Sequence, residues 1–329
     1  MKKLCLLAML GVFISGCVRA SDTMYTGVFF QPERMIEQGD KTIEILKKYH
    51  FNSYRSGFRW RQVEQVKGVY RIPDEKLSQF VNDSLQAGIT PLLVLGNTNA
   101  LYGNDKPVRA DQLMAFSKFV AWNVDQFPRK KVVYEIYNEW WHDDMKNHPE
   151  SYDDISAHQY ATMIKMAAKV IRQHNPDAVI IAGSMNPLSQ RHINWLDVML
   201  RDGILQDVDG ISIHPYSTHT PESDFKAIED FEQHLRAMNA GRKVDLYISE
   251  MGYSNSLRGK LLPFQQRSYT KRYYQLAASQ DFIKGIWWYS LQDVKIPHNA
   301  YESNFGMLDE SGNEKDIMRG YLSWLYEKK

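Results

Sequence analysis

The chain has 329 residues, 43 % of them hydrophobic and 24 % charged, with a formal net charge of +1. A chain of this length buries a full core without disulfides or structural metals, and its balanced charge lacks the basic surplus of a nucleic-acid protein. Two average domains or one large barrel both fit the length.

The first segment differs from the rest. Lys2 and Lys3 precede an apolar run from Leu4 to Ile14, and the small residues Ser15 and Gly16 follow. A positive start, an apolar middle and small residues at a cleavage site make the layout of a secretory signal. The run is too short to span a bilayer comfortably. Ile14-Ser15-Gly16-Cys17 also resembles the bacterial lipoprotein lipobox. That resemblance implies a signal peptide over 1–16, a lipid on Cys17 and a short tether over 17–23. Acyl chains there would hold the protein to a membrane, each buried methylene adding roughly 0.8 kcal/mol. The expected location is the envelope of a bacterium. Val18 after the cysteine, where Asp is absent, points to an outer membrane, facing the periplasm or the surface. Cys5 and Cys17 are the only cysteines, so the mature chain has no disulfide to form and none to mispair.

From residue 24 onward, short apolar runs alternate with longer amphipathic stretches. Eight strands are predicted: Met24–Phe30, Ser53–Trp60, Thr90–Gly96, Val132–Glu139, Ala178–Ser184, Gly210–Tyr216, Asp245–Gly252 and Gly285–Asp293. They are rich in Val, Ile, Leu and aromatics and bounded by turn residues, as strands buried on both faces are. Helical periodicity fills the intervals. Tyr160, Met163, Ile164, Ala167, Val170 and Ile171 form one core-facing stripe, stopped by Asn175-Pro176, and Phe225, Ile228, Leu235 and Met238 form another. Strict β-α alternation argues for a parallel sheet with helical crossovers, and eight units close into a single (β/α)₈ barrel spanning 24–329. An open doubly wound sheet would want a Gly-rich turn after the first strand, where this chain has Phe29-Phe30-Gln31-Pro32. The longest irregular stretches, Asn97–Arg109, Trp140–Ile155 and Val294–Glu314, follow strands 3, 4 and 8. In a barrel they form walls on the face that carries the chemistry.

Two strand ends stand out. Strand 4 ends Tyr137-Asn138-Glu139 and strand 7 ends Ser249-Glu250-Met251-Gly252. A carboxylate there is costly to bury unless it is paired. One such Glu is most simply a salt-bridged structural residue, but two at two barrel strand ends suggest a working pair.

Asn138-Glu139 with Ser249-Glu250-x-Gly252 resembles the large clan of retaining glycoside hydrolases built on (β/α)₈ barrels. Further matches are Ile213-His214-Pro215-Tyr216, Arg55 with Trp60, Val63-Glu64 and Gly68-x-Tyr70, and Trp288-Tyr289 through Asp293. Glu302-x-Asn304-Phe305-Gly306-x-Leu308 is similar to the tail motif of glycoside hydrolase family 39-like barrels. The resemblance covers about residues 24–325. It implies that Glu139 is the acid/base, Glu250 the nucleophile and Asn138 the holder of the sugar 2-hydroxyl. The chain departs from the clan in three places. Trp140-Trp141 stands where Pro often follows Asn-Glu, Gly96-Asn97-Thr98-Asn99 lacks a family 5 His, and Lys315-Asp316 replaces Lys-Pro.

The chemistry explains the residue types. One carboxylic acid protonates the leaving oxygen while one carboxylate attacks the sugar, the two roughly 5 Å apart in retaining enzymes. Glu139 is therefore expected to be shifted upward by burial and by Glu250's charge. Tyr216 and Arg55 are expected to keep Glu250 ionised, with a buried pairing of Arg55 and Glu135 as the structural alternative. His214 and Tyr216 share a strand face; the alternative for His214 is a satisfied core residue. Sugar rings pack on flat aromatics. Trp288 is expected to be a sugar platform, with Trp287 facing the other way and Trp140 or Trp141 adding a second.

No zinc, Walker or nucleophile-elbow motif occurs in the sequence. His142, His148, His214 and His219 lack trusted ligand spacing, and Asp143-Asp144 and Asp153-Asp154 read as solvated charge. No metal, cofactor or nucleic acid is expected. The expected substrate is a polysaccharide or oligosaccharide, cleaved by a monomer, in an endo fashion given the long loops and many aromatics. The competing readings are an exo-acting xylosidase- or glucosidase-like enzyme, a transglycosylase, and an envelope protein that binds glycan without cleaving it.

Overall fold

The structure is a computed structural model that describes residues 24–31, 41–103, 105–142 and 151–327. The leader with Cys17, and Asp143, Asp144 and His148, lie outside the described residues. Eight strands pair in parallel and in chain order: β1 (Tyr25–Phe29), β2 (Ser53–Ser56), β3 (Thr90–Leu95), β4 (Val133–Ile136), β5 (Val179–Met185), β6 (Gly210–Ile213), β7 (Leu246–Met251) and β8 (Ile283–Trp288). β8 returns to β1, with Gly27 opposite Trp287, so the sheet closes into a barrel. All eight expected strands are present. Strands 2, 4, 6 and 8 stop three to five residues earlier than their apolar runs suggest, because the last residues leave the ladder to form the mouth.

Helices cover the outside, placed by the stripes that the periodicity marks. Helix Asp154–His174 buries Tyr160, Met163, Ile164, Ala167 and Ile171, with Val170 only partly buried. Asp153 begins it by accepting a hydrogen bond from the Ser156 N–H, a cap that satisfies an orphan donor; the expected loop acids are thus a helix start. Asn175 ends the helix, buried and donating to the Phe127 and Lys130 carbonyls. Helix Pro221–Met238 buries Phe225, Ile228 and Leu235, but Met238, expected on that stripe, is exposed at the last turn. No described helix is long and apolar enough to cross a membrane.

The barrel interior is filled by side chains. Leu92, Val133, Ile181, Tyr247 and Trp287 make an apolar plug. The Trp287 indole N–H donates to Ser53 Oγ at 2.8 Å. A Cβ on Gly27 would lie 2.3 Å from the Trp287 ring, and one on Gly285 2.6 Å, so the ring fits only between glycines.

Two platform expectations are corrected here. Trp288 faces outward from the barrel but is fully buried, stacked on Tyr274 at 6.0 Å with Tyr253 and Tyr273 edge-on. It packs the sheet against helix Pro263–Ser279. Trp140 is also fully buried, parallel to Tyr160 at 5.1 Å. Neither offers a face to a sugar. Trp287 does face the other way, but into the plug. Trp141 is half-buried and stacks on Tyr152 at 5.7 Å, with its N–H donated to the Ser184 carbonyl.

Trp288→Ala should therefore lower folding stability by about 3–5 kcal/mol in urea unfolding, while Trp288→Phe leaves KM for glycan unchanged. A raised KM in the phenylalanine variant with unaltered stability would restore the platform role.

Candidate active site

The mouth is organised around a buried cation. Arg55, on β2, is 1 % exposed and donates through Nε to Glu135 Oε2 at 2.7 Å, through Nη2 to Asn138 Oδ1 at 2.7 Å, and through Nη1 to Glu250 Oε1. Buried charges persist only when paired and hydrogen-bonded, and this guanidinium joins three strand ends at once. Burial opposes its charge, but Glu135 and Glu250 outweigh that and raise its pKa further. Glu135, on β4 and fully buried, is also penalised by burial, yet Arg55 and then His214 hold its carboxyl below the usual range. Both sequence readings of Arg55 thus hold together: it is a structural ion pair and a neighbour of Glu250.

β4 then turns sharply. Tyr137 and Glu139 take φ values of 61° and 46°, in the left-handed region that costs a non-glycine residue roughly 1 kcal/mol or more. The turn leaves Asn138 on Arg55 and turns Glu139 into the cleft. Across the mouth, Tyr216 donates its hydroxyl to Glu250 Oε2 at 2.9 Å. His214, 2 % exposed, bridges the two sides: Nδ1 lies 2.9 Å from Glu139 Oε1 and Nε2 lies 3.0 Å from Ser249 Oγ. Facing oxygens of Glu139 and Glu250 lie within 4.8 Å of each other. Gly252 ends this strand because a Cβ there would lie 2.1 Å from the Tyr289 carbonyl.

The hydrogen bonds define the proton inventory. Ser249 gives its only hydroxyl proton to Glu135 Oε1 at 2.7 Å, so its oxygen must accept from His214 Nε2–H. One proton remains for the bond between Nδ1 and Glu139, and it can sit at either end. Glu139 was expected to be shifted upward. Burial does push it that way, but the hydrogen bond and charge of His214 outweigh burial and lower it. His214 moves in the opposite sense: burial lowers it, but Glu250 and Glu139 together raise it.

A cleft of about 970 Å³ opens above the pair. Phe29 and Tyr289 stack at 5.0 Å on its floor, and Tyr301, Glu302 and Phe305 form one wall. Arg59, Arg61 and Lys106 are also in its lining, with His142. Sequence reasoning passed over Phe29 and the cationic residues, which no motif marks. Tyr289 was legible, since it follows Trp288 in the quoted motif, but a shift of one residue along a strand moves a side chain to the opposite face. Burial and the charges of Glu250 and Glu139 push the Glu302 carboxyl up.

Two further motifs serve as fasteners. Glu64, fully buried, accepts from Trp60 Nε1 at 2.6 Å, from the Gly68 N–H at 2.7 Å and from the Tyr102 hydroxyl. It ties the segment after β2 to the one after β3. Lys315 bonds both Asp293 oxygens at 2.7 and 2.9 Å and the Asn304 carbonyl at 3.1 Å. Asp293 in turn accepts from the Gly306 N–H at 2.7 Å. This clamp holds the wall that carries Tyr301 and Phe305. Glu139, His214 and Glu250 are close enough to share a cation, but Arg55 already supplies a positive charge to Glu250, and a second cation would be repelled. His219 lies on the surface beside Asp224.

A closed eight-stranded barrel with a paired carboxylate mouth defines a class, the (β/α)₈ glycoside hydrolases. The family model for cellulase, glycosyl hydrolase family 5, matches residues 21–293, and the chain belongs to that family. No curated protein matches the chain in sequence. Among solved structures it is similar to a family 39 glycoside hydrolase from Bacteroides cellulosilyticus WH2, with a TM-score of 0.72, 23 % identity and 93 % of this chain covered. The chain spans 65 % of the length of that structure. It is also similar to xylanase 10B from Thermotoga maritima, with a TM-score of 0.69, 16 % identity and coverage of 94 % of this chain and 96 % of that one. A GH5_18 structure from Streptomyces cattleya, in complex with GlcNAc, gives a TM-score of 0.72 at 10 % identity, covering 94 % of this chain and 81 % of that one. Within the clan, the family model selects family 5.

The two opposed shifts predict a pH signature. His214, raised above its ordinary 6.5, adds stability that is complete below 6.5 and fades as pH climbs through its folded value. Glu139, lowered from 4.5, adds stability above 4.5 that is lost as pH falls through its folded value. The stability difference between wild type and His214→Phe should therefore peak between pH 4.5 and 6.5. Denaturant unfolding over about pH 4 to 9 measures it, and a flat difference would remove the pair as its source.

Proposed function

We propose that the chain cleaves β-linked polysaccharide by double displacement, with Glu250 as nucleophile and Glu139 as acid/base. The carrying observation is the separation of the two carboxylates, whose facing oxygens lie within 4.8 Å. Retaining enzymes hold the pair about 5–5.5 Å apart, whereas inverting ones leave about 6.5–9.5 Å for a water. Arg55 and Tyr216 hold Glu250 by both oxygens, which aims it into the cleft. The proton between His214 and Glu139 is the one the leaving oxygen needs. When it sits on Glu139, the carboxyl donates a hydrogen bond to Nδ1 of neutral His214; when it has been given to the aglycone, Glu139 is ready to take one back from water. Asn138, whose Oδ1 is held by Arg55, takes the role of bonding the sugar 2-hydroxyl in this reading, a contact that strengthens in the transition state.

Endo action is supported by an open cleft at the upper end of ordinary ligand pockets, which run about 300–1,000 Å³. The sugar faces expected of Trp288 and Trp140 pass to Phe29 and Tyr289, which line the cleft and are only half-buried. The lipobox-like Ile14–Cys17 supports an envelope location with a lipid on Cys17, and with it a substrate among the producer's own surface polysaccharides.

Reducing-end release from envelope polysaccharides and a plant-glycan panel tests the reading. Glu250→Gln should abolish release. Glu139→Gln should slow it by about 10²–10⁴, and by much less for aryl glycosides whose leaving group needs no proton. Equal release by wild type and Glu250→Gln would sink the nucleophile assignment.

A further inference from the structure

Nine large hydrophobic side chains are exposed among the described residues, and three of them fall within eight positions: Leu257 at 106 %, Leu262 at 57 % and Phe264 at 67 %. They lie between β7 and the first turn of helix Pro263–Ser279. Single exposed hydrophobics are ordinary, but a cluster marks an interaction surface. The same stretch is basic. No Asp or Glu occurs between Glu250 and Asp281, while Arg258, Lys260, Arg267, Lys271 and Arg272 do. Lys271 and Arg272 are taken up by Glu327 and Glu222. Arg258, Lys260 and Arg267 are exposed and form no ion pair among the described residues.

The segment is held in shape. Ser254 Oγ donates to the Tyr301 carbonyl at 2.8 Å, and the Asn255 N–H to the Asn304 carbonyl at 3.0 Å. Gln266, buried, donates from beneath to the Ser254 and Leu261 carbonyls, both at 3.2 Å. Gly259 is buried against Ser254, where a Cβ would lie 1.8 Å from its carbonyl oxygen. With Gly259 and Gln266 facing inward and Leu261 half-buried, Leu257, Leu262 and Phe264 stand outward.

We propose that this patch docks on an anionic lipid surface. Exposed apolar side chains on a stretch that carries three unpaired cations and no acid of its own match what inserts into a headgroup region and attracts anionic lipid. A glycan shelf would instead call for flat aromatics with polar partners beside them, and Phe264 is the single aromatic among the three. The patch packs against residues 300–304, part of the cleft wall, so docking holds the barrel mouth close to the bilayer. The surface is independent of the catalytic assignment and of a lipid on Cys17.

The test uses the chain from Ser21 to Lys329, which carries every buried core residue and lacks Cys17. Flotation with phosphatidylethanolamine vesicles containing phosphatidylglycerol is compared with phosphatidylcholine vesicles. Wild type should float with the anionic vesicles alone, and less at high salt. Leu257→Ser/Leu262→Ser/Phe264→Ser and Arg258→Glu/Lys260→Glu should each bind at least about tenfold more weakly with unchanged melting midpoints. Glu250→Gln should float as wild type does, which separates this surface from catalysis. Wild type that stays unbound, variants that float equally well, or variants that lose polysaccharide affinity while still floating would each overturn the proposal.

Discussion

One guanidinium governs the mouth of this barrel. Arg55 is buried beyond the reach of water, so its charge must be met by the protein, and it is met by Glu135 and Asn138 from β4 and its end and by Glu250 from β7. Each partner is fixed by the others. Glu135 tolerates full burial because Arg55 and two serine hydroxyls surround it. Glu250 is clamped between Arg55 and Tyr216 and so presents one orientation to the cleft. An ion pair of this kind is no large source of net stability, since desolvation consumes much of its Coulomb energy. What it provides is position.

From that clamp a second line of bonds runs outward: Glu135 to Ser249, Ser249 to His214, His214 to Glu139. Its directionality follows from the supply of protons, because a serine has one to give. The chain therefore orients His214 so that its other nitrogen always faces Glu139. The acid/base candidate and the nucleophile candidate are thereby tied to the same buried charge by separate routes.

The walls are secured by other means. Glu64 ties together the segments after β2 and β3, and Lys315 with Asp293 fastens the segment from Tyr301 to Phe305. Both fasteners use buried charge in place of apolar contact, and both lie within motifs that would otherwise invite a catalytic reading. The Lys315-Asp316 departure from the clan's Lys-Pro thus carries a structural lysine.

The sequence by itself determined the fold and singled out the candidate carboxylate pair. Eight apolar runs separated by amphipathic stretches leave little choice but a closed parallel barrel, and acids at the ends of two such runs cannot be explained by packing. It also determined that His214 and Tyr216 share a face, since the period of a strand is 2. It did not determine which aromatics meet the substrate. Along β8 the outward and inward faces alternate, and both are buried in a barrel wrapped by helices, so Trp287, Trp288 and Tyr289 look equivalent as letters. Only the closed barrel assigns Trp287 to the plug, Trp288 to the helix layer and Tyr289 to the cleft. The direction of the Glu139 shift was decided the same way. Burial and a neighbouring carboxylate are readable from strand ends, but the imidazole 2.9 Å away that outweighs burial depends on a turn with positive φ, and that geometry exists only in three dimensions.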